Sequence, residues 1–250
     1  KTMGDAVWSM YDYNRGCCDN ICYSGVADIF RLPKFSLSFF RTQIAEGSML
    51  PSGKMPYEVF IPAYRDEILS DTVMVYGNVD EVELVLNGKT IRRQTADKGP
   101  DSDYISVPNG GNGKNLHFPP FTFYGVPKER GVLKAVGYHQ GKKVAEYTVK
   151  TPGVPERLDI TYFESGKPAT KNDLLIVYVR MLDKQGVLCP VNGIPVELSV
   201  QGGEIVGPTS YPLEAGVASF LVRTGEISKI NINATGKGFS TRKSLKVGKE

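Results

Sequence analysis

The chain has 250 residues, 41% hydrophobic and 23% charged, a composition that fits an ordinary globular protein and excludes an intrinsically disordered one. Thirty basic against 27 acidic residues leave a net charge of +3, and no Lys/Arg run forms the stripe that neutralises a phosphate backbone, so no nucleic-acid partner is expected. No apolar stretch reaches the ~20 residues of a membrane span, and the first residues lack the basic, apolar and small-residue regions of a secretory leader.

In chain order, Asp5–Tyr13 reads as one apolar strand, Val26–Phe30 as a short extended piece, and Pro33–Gln43 as a helix. Pro33 suits a first-turn position, and Phe35, Phe39 and Phe40 recur at helical spacing. Strand, loop and helix make one βα unit, which cannot close a sheet or cover both of its faces. It is therefore expected to pack on something outside itself, as a piece of a longer chain would. Cys17, Cys18, Cys22 and the solitary Cys189 fit neither a paired disulfide framework nor tetrahedral zinc spacing. Free or locally paired thiols in a loop are expected, with no metal and no cofactor.

From Tyr57 onward the pattern is β. Val73–Tyr76, Val82–Leu86, Val132–Tyr138, Val144–Val149, Leu174–Met181, Val196–Val200, Val217–Val222 and Ile227–Ala234 are short, rich in Val, Ile, Leu and Tyr, and bounded by turn residues. Asn87-Gly88 and Gln140-Gly141 supply the positive φ angles of tight hairpins. Residues 95–120, with Asn109-Gly110-Gly111-Asn112-Gly113, read as a long polar loop. Thr151-Pro152-Gly153-Val154-Pro155 interrupts the pattern before a new strand at Arg157. The expected architecture is mainly β: a strand-loop-helix piece over 1–50, an immunoglobulin-like β-sandwich over 57–152 and a second over 155–250.

Gly4-Asp5-Ala6-Val7-Trp8-Ser9-Met10-Tyr11-Asp12-Tyr13 resembles the eighth barrel strand of family 2 glycoside hydrolases, the family of β-galactosidases and β-glucuronidases. Tyr23-Ser24-Gly25-Val26-Ala27-Asp28-Ile29-Phe30-Arg31-Leu32-Pro33-Lys34 is similar to that family's loop into its last barrel helix. Asn78-Val79-Asp80-Glu81-Val82-Glu83-Leu84-Val85-Leu86-Asn87-Gly88-Lys89 and Gly131–Tyr138 are similar to the sandwich that follows the barrel in many bacterial members. From Asp173, Leu174–Met181 with Asp183-Lys184-Gln185-Gly186 resembles bacterial Ig-like repeats, which occur in such hydrolases and in surface adhesins.

The resemblance implies that the two catalytic glutamates lie on earlier barrel strands, upstream of Lys1. No catalytic residue is then expected here, because a retaining glycosidase needs two carboxyl groups ~5 Å apart across the scissile bond. It further implies a periplasmic or extracellular setting, the upstream barrel of the same polypeptide as partner, and an oligo- or polysaccharide substrate reached through it. A homo-oligomer is a further expectation. A tryptophan at the position of Trp8 would close the floor of the sugar pocket by stacking on an apolar sugar face. In this chain alone, without the pocket walls, a buried packing role is expected instead. Asn14 and Arg15 can hydrogen-bond substrate hydroxyls or serve as plain loop residues.

Asp12, Asp19 and Asp28 have no spacing that fixes two of them on one sugar and are expected to be solvated. His117 and His139 are expected at the surface, and Gly110-Gly111-Asn112-Gly113-Lys114 lacks the ending of a phosphate loop. Two functions follow. One is an accessory, non-catalytic part of a β-galactosidase-like hydrolase. The other is a carbohydrate-binding or adhesion module using Tyr162, Phe163 and Tyr211.

Overall fold

The computed structural model describes residues 8–14, 16, 21–63, 71–97, 116–163 and 166–248, and these divide into two compact units, Lys1–Thr151 and Pro152–Glu250. The fold is mainly β, with two immunoglobulin-like β-sandwiches in tandem and one helix among the described residues.

Unit 1 begins with β1 (Tyr13–Asn14), β2 (Ile21–Cys22), α1 (Phe35–Thr42), β3 (Met49–Leu50) and β4 (Gly53–Lys54). It continues with β5 (Val59–Phe60), β6 (Val73–Gly77), β7 (Glu81–Leu86), β8 (Lys89–Thr95), β9 (Phe121–Phe123), β10 (Val132–His139) and β11 (Lys142–Lys150). Its sandwich sets the sheet β11-β10-β7-β8 against β5-β6-β9. Period-two alternation makes this possible: β7 sends Val82, Leu84 and Leu86 inward and Glu81, Glu83 and Val85 outward. The core closes with Phe121, Phe123, Leu133, Val75 and Ile61, all but inaccessible. Gly137 on β10 faces Val59, where a Cβ would stand 2.7 Å from Val59 Cγ1, so only glycine lets the two sheets approach.

Both expected hairpins are present, with Asn87 at φ 50° before Gly88 and Gln140 at φ 49° before Gly141. Asn87 does a second job: its amide donates to Arg130 O (3.1 Å) and accepts from Val132 N–H (2.9 Å), strapping the turn to the start of β10.

Unit 2 contains β12 (Pro155–Tyr162), β13 (Leu174–Asp183), β14 (Pro195–Gln201), β15 (Gly203–Ile205), β16 (Ser210–Pro212), β17 (Val217–Thr224), β18 (Lys229–Gly236) and β19 (Phe239–Lys246). Sheets β12-β13-β17-β15 and β16-β14-β18-β19 enclose Ile160, Val177, Val179, Met181, Leu198, Phe220 and Ile230. A third tight hairpin joins β18 to β19 through Lys237 at φ 50° and Gly238, a pair the sequence reading did not single out. Asp183, ending β13, is buried and accepts N–H bonds from Gly153 (2.7 Å), Gln185 (2.8 Å) and Val187 (2.8 Å). Burial alone would raise its carboxyl, but these donors and Gly186 outweigh it and hold the group below the ordinary aspartate range. Cys189 is a free thiol buried in the core of this sandwich; Cys17 and Cys18 lie outside the described residues.

Three expectations about the N-terminal piece are corrected. Within Asp5–Tyr13, the described Trp8–Tyr13 is not a single strand; Ser9–Asp12 runs parallel to Ser24–Ala27 before β1 turns to pair with β2. A lone strand has no ladder of its own, so it takes what the following loop offers. The piece Val26–Phe30 is extended only to Ala27 and then turns, because Asp28 Oδ1 accepts Leu32 N–H at 2.8 Å. Pro33 lies before α1 rather than in its first turn: it bridges to Ala27, and Lys34 N–H is taken by Val26 O at 3.0 Å, so the helix opens at Phe35. Of the 95–120 loop, residues 98–115 lie outside the described residues, with the glycine run at 110–113.

Candidate functional site

The N-terminal piece is organised around Asp12. Its side chain is 3% exposed, 2.6 Å from Lys34 Nζ, and accepts the Gly25 N–H at 2.9 Å. Lys34, the residue preceding α1, also donates to Tyr23 O at 3.1 Å. One buried carboxylate thus joins the first extended run, the loop after β2 and the start of the helix. The join requires a glycine at 25, where a Cβ would sit 2.2 Å from Asp12 N. Asp12 is therefore a buried, paired group and not the solvated acid expected, since its lone pairs meet a cation and an N–H that replace water. Asp28 caps its own turn, and Asp19 lies outside the described residues.

On this frame Trp8 stands out with 74% of its surface exposed, against the expectation of burial. The reason is local: its indole N–H donates to Tyr13 Oη at 2.8 Å and the rings meet edge-on at 6.1 Å and 83°, which orients the indole without covering it. Asn14 follows Tyr13 and is exposed; its Oδ1 accepts the Gly16 N–H at 2.8 Å, leaving the amide NH2 as the donor end. Arg15 lies outside the described residues. The structure thus pairs Trp8 with Tyr13, which sequence reasoning had treated only as the end of a strand, and shows no contact between Trp8 and Asn14 among the described residues.

A second group of polar contacts fixes the N-terminal piece to the first sandwich. Asn78, buried in the turn between β6 and β7, accepts Glu58 N–H (2.6 Å) and donates to Ile44 O (3.0 Å) and Pro56 O (3.0 Å). Gln43, just past α1, makes a two-way pair with the Phe118 backbone at 2.9 and 3.1 Å. Arg41 grips Glu58 with both a Nε bond of 3.2 Å and a terminal guanidinium nitrogen. Burial of the guanidinium works against its charge, but the Glu58 hydrogen bond dominates and raises its pKa further. Aromatic edges complete the seam, Phe35 on Phe60 at 5.7 Å and Phe39 on Tyr76 at 5.0 Å, while Phe40 stays partly exposed.

His117 is exposed and His139 is a partly exposed surface residue, as expected. It stacks on Tyr57 at 4.9 Å and 27°, with Nδ1 3.1 Å from Asp80, whose other role is to accept the Gln140 N–H of the hairpin at 2.8 Å. The Gln140 N–H, against some burial and with help from His139, holds the Asp80 carboxyl below its ordinary range. The His139 side chain keeps 35% of its surface exposed, so it lies at the surface as expected, packed by one face on Tyr57.

In unit 2 the three aromatics proposed as a carbohydrate platform do not share a face. Tyr162 packs on the core with Lys243 Nζ 5.8 Å from its ring, and Tyr211 belongs to the opposite sheet with its edge on Phe220 at 5.5 Å. Among the described residues no three His, Cys, Asp or Glu side chains are grouped to hold a metal, and no helix is long and apolar enough to cross a membrane.

Comparison with known proteins defines the class. Residues 70–145 match a family described as a domain of unknown function (DUF4982). The chain is 32% identical over 237 residues to a β-galactosidase of Thermoanaerobacter pseudethanolicus, aligning 88% of this chain with 30% of that protein. It is 30% identical over 129 residues to a β-galactosidase of Rhizobium radiobacter, aligning 51% of this chain with 92% of that protein. A solved β-glycosidase from Bacteroides vulgatus shares the fold at a TM-score of 0.74 and 16% identity, over 96% of this chain and 30% of that one. These are glycoside-cleaving enzymes. The chain belongs to glycoside hydrolase family 2, and spans about a third of the length of the Thermoanaerobacter relative.

Proposed function

We propose that this chain is the C-terminal accessory part of a β-galactosidase-like glycoside hydrolase, non-catalytic by itself, which holds the last strand and helix of the catalytic barrel in place. The exposed Trp8, oriented by Tyr13 on a piece pinned to the first sandwich, carries this reading. An indole displayed on a fixed frame suits stacking on the apolar face of a sugar. The Asn14 amide and the Arg15 guanidinium follow directly in the chain and can donate to sugar hydroxyls.

The same frame argues against local catalysis. A retaining mechanism needs one carboxylate free to attack and one acid free to donate. Asp12 is neutralised by Lys34 and buried, and Asp28 is committed to a backbone turn. The upstream barrel supplies the reacting glutamates, and the sugar reaches this chain only through it. The adhesion-module reading loses support because its aromatics lie on different sheets of the second sandwich.

The test is to combine the purified chain with its separately expressed upstream barrel and assay a nitrophenyl β-galactoside. Turnover should appear on mixing, and with Trp8→Ala the reconstituted kcat/KM should fall on the order of tenfold or more. Reconstituted turnover that is indifferent to Trp8→Ala removes the role of the indole. No turnover on any nitrophenyl glycoside counts against the accessory reading.

A further inference from the structure

The polar group that the fold holds against the Trp8 indole is the Tyr13 hydroxyl. Trp8 Nε1 donates to Tyr13 Oη at 2.8 Å, a contact that uses the hydroxyl only as an acceptor. A phenol keeps one proton to give, and among the described residues no group takes it. Accepting the indole N–H polarises the O–H and makes it a better donor. Both side chains can be reached from outside, Trp8 being largely exposed and Tyr13 half-buried. Asn14, the next residue, has its Oδ1 committed to the Gly16 N–H instead.

The backbone that carries the two rings is fixed by other contacts. Tyr13 pairs with Cys22 across β1 and β2, and Asp12 before it is locked by Lys34 and Gly25. Ser9, after Trp8, donates its N–H to Ser24 O at 3.4 Å and accepts the Val26 N–H at 3.1 Å. The rings are therefore placed before any ligand arrives, which lowers the cost of meeting one. The Tyr13 ring crosses the indole at 83°, so it does not extend the indole surface but stands at its edge, with the polar tip beside Nε1. A pyranose stacked on the indole sets its C–H groups ~3.5–4.0 Å above the ring and carries its hydroxyls around the rim. A hydroxyl at the indole's edge faces that rim, and the indole N–H does not compete for it because Tyr13 already holds it.

We propose that Tyr13 is a substrate-contacting, specificity-determining residue, which donates its hydroxyl proton to one hydroxyl of the sugar stacked on Trp8. The proposal rests on the reading of Trp8 as a sugar platform in a glycoside hydrolase, and adds to it a choice among sugars. Stacking alone accepts any pyranose with an apolar face, whereas a fixed donor discriminates against a sugar that lacks the hydroxyl at its position.

Tyr13→Phe tests it, since it removes the hydroxyl and keeps the ring. Tyr13 belongs to neither hydrophobic core, so the variant should keep the native thermal midpoint. Trp8 is the only tryptophan of the chain, and its emission should show the indole still exposed. In the polypeptide that carries the upstream barrel together with this chain, kcat/KM on a nitrophenyl β-galactoside should fall about tenfold. The same comparison on the 2-, 3-, 4- and 6-deoxy galactosides separates contact from positioning. On the deoxy sugar that lacks the partner of Tyr13, native and variant should turn over alike, while the tenfold gap persists on the other three. A gap of equal size on every sugar, with or without a shifted emission, overturns the proposal, because Tyr13 then acts only by orienting the indole. Full activity of Tyr13→Phe on every sugar overturns it too. A Trp8→Ala polypeptide with native kcat/KM instead removes the stacking reading, and a native polypeptide with no turnover on any nitrophenyl glycoside removes the hydrolase reading; either takes this proposal with it.

Discussion

The N-terminal piece and the first sandwich reach a fixed structure by opposite means. The sandwich excludes water from Phe121, Phe123, Leu84 and Leu133, and its strands would find their places from apolar alternation alone. The piece before it leaves Trp8, Met10, Tyr23 and Met49 largely in water and is held by directional contacts: Asp12–Lys34, Gln43 with the Phe118 backbone, Arg41–Glu58 and the three bonds of Asn78. A core tolerates any apolar residue of about the right volume, whereas a hydrogen-bond pin tolerates only its own geometry. Directional pins are what positioning a side chain such as Trp8 requires.

The sharpest way to break the contrast is in the core. Phe121→Ala should cost unit 1 about 3–5 kcal/mol, lowering the urea midpoint and exposing β7, β10 and α1 to amide exchange together. Asn78→Ala should act differently. It orphans two carbonyls and one N–H, costs about 2–3 kcal/mol, and should release α1 to exchange while β7 and β10 stay protected. Asn78→Asp should resemble it, because a carboxylate still accepts from Glu58 N–H but cannot donate to Ile44 or Pro56. If α1 and the core strands open together in these variants, the pins are not separate from the core.

Lys34→Met, which strands the Asp12 charge, should cost about 2 kcal/mol, less than for a fully buried pair because Lys34 is 31% exposed. It should be read as faster exchange at Gly25 and Val26. The smallest effect is acid sensitivity. Asp80 and Asp183 both sit below their ordinary value in the folded chain, so the stability they contribute is complete above about pH 4 and is lost as pH falls through the lowered folded values. Urea midpoints of unit 2 should drop below about pH 4, and Asp183→Asn should flatten that drop while lowering the midpoint at neutral pH.

The same contrast explains what was legible in the sequence. Period-two runs such as Glu81–Leu86 and the turns Asn87-Gly88 and Gln140-Gly141 announce themselves because a half-buried strand and a positive φ each restrict residue type. The N-terminal piece was legible by resemblance but not in detail. Pins such as Asn78 and Gln43 are single polar residues whose partners lie 34 and 75 positions away, and no local pattern marks them. Asp12 was misjudged for the same reason, since nothing near it in sequence shows that Lys34 and Gly25 will close over it. Trp8 was expected to pack inward because the walls of a sugar pocket are not in this chain, and its exposure follows from Tyr13 orienting it from one edge.

The division of labour is tested most directly by assaying the purified chain alone, at high concentration, on nitrophenyl β-galactoside and β-glucuronide. The account predicts no turnover above buffer from the native chain and from Asp12→Asn alike. Robust turnover by the native chain that Asp12→Asn abolishes would contradict it, because a carboxylate assigned to holding the frame would then be part of the chemistry.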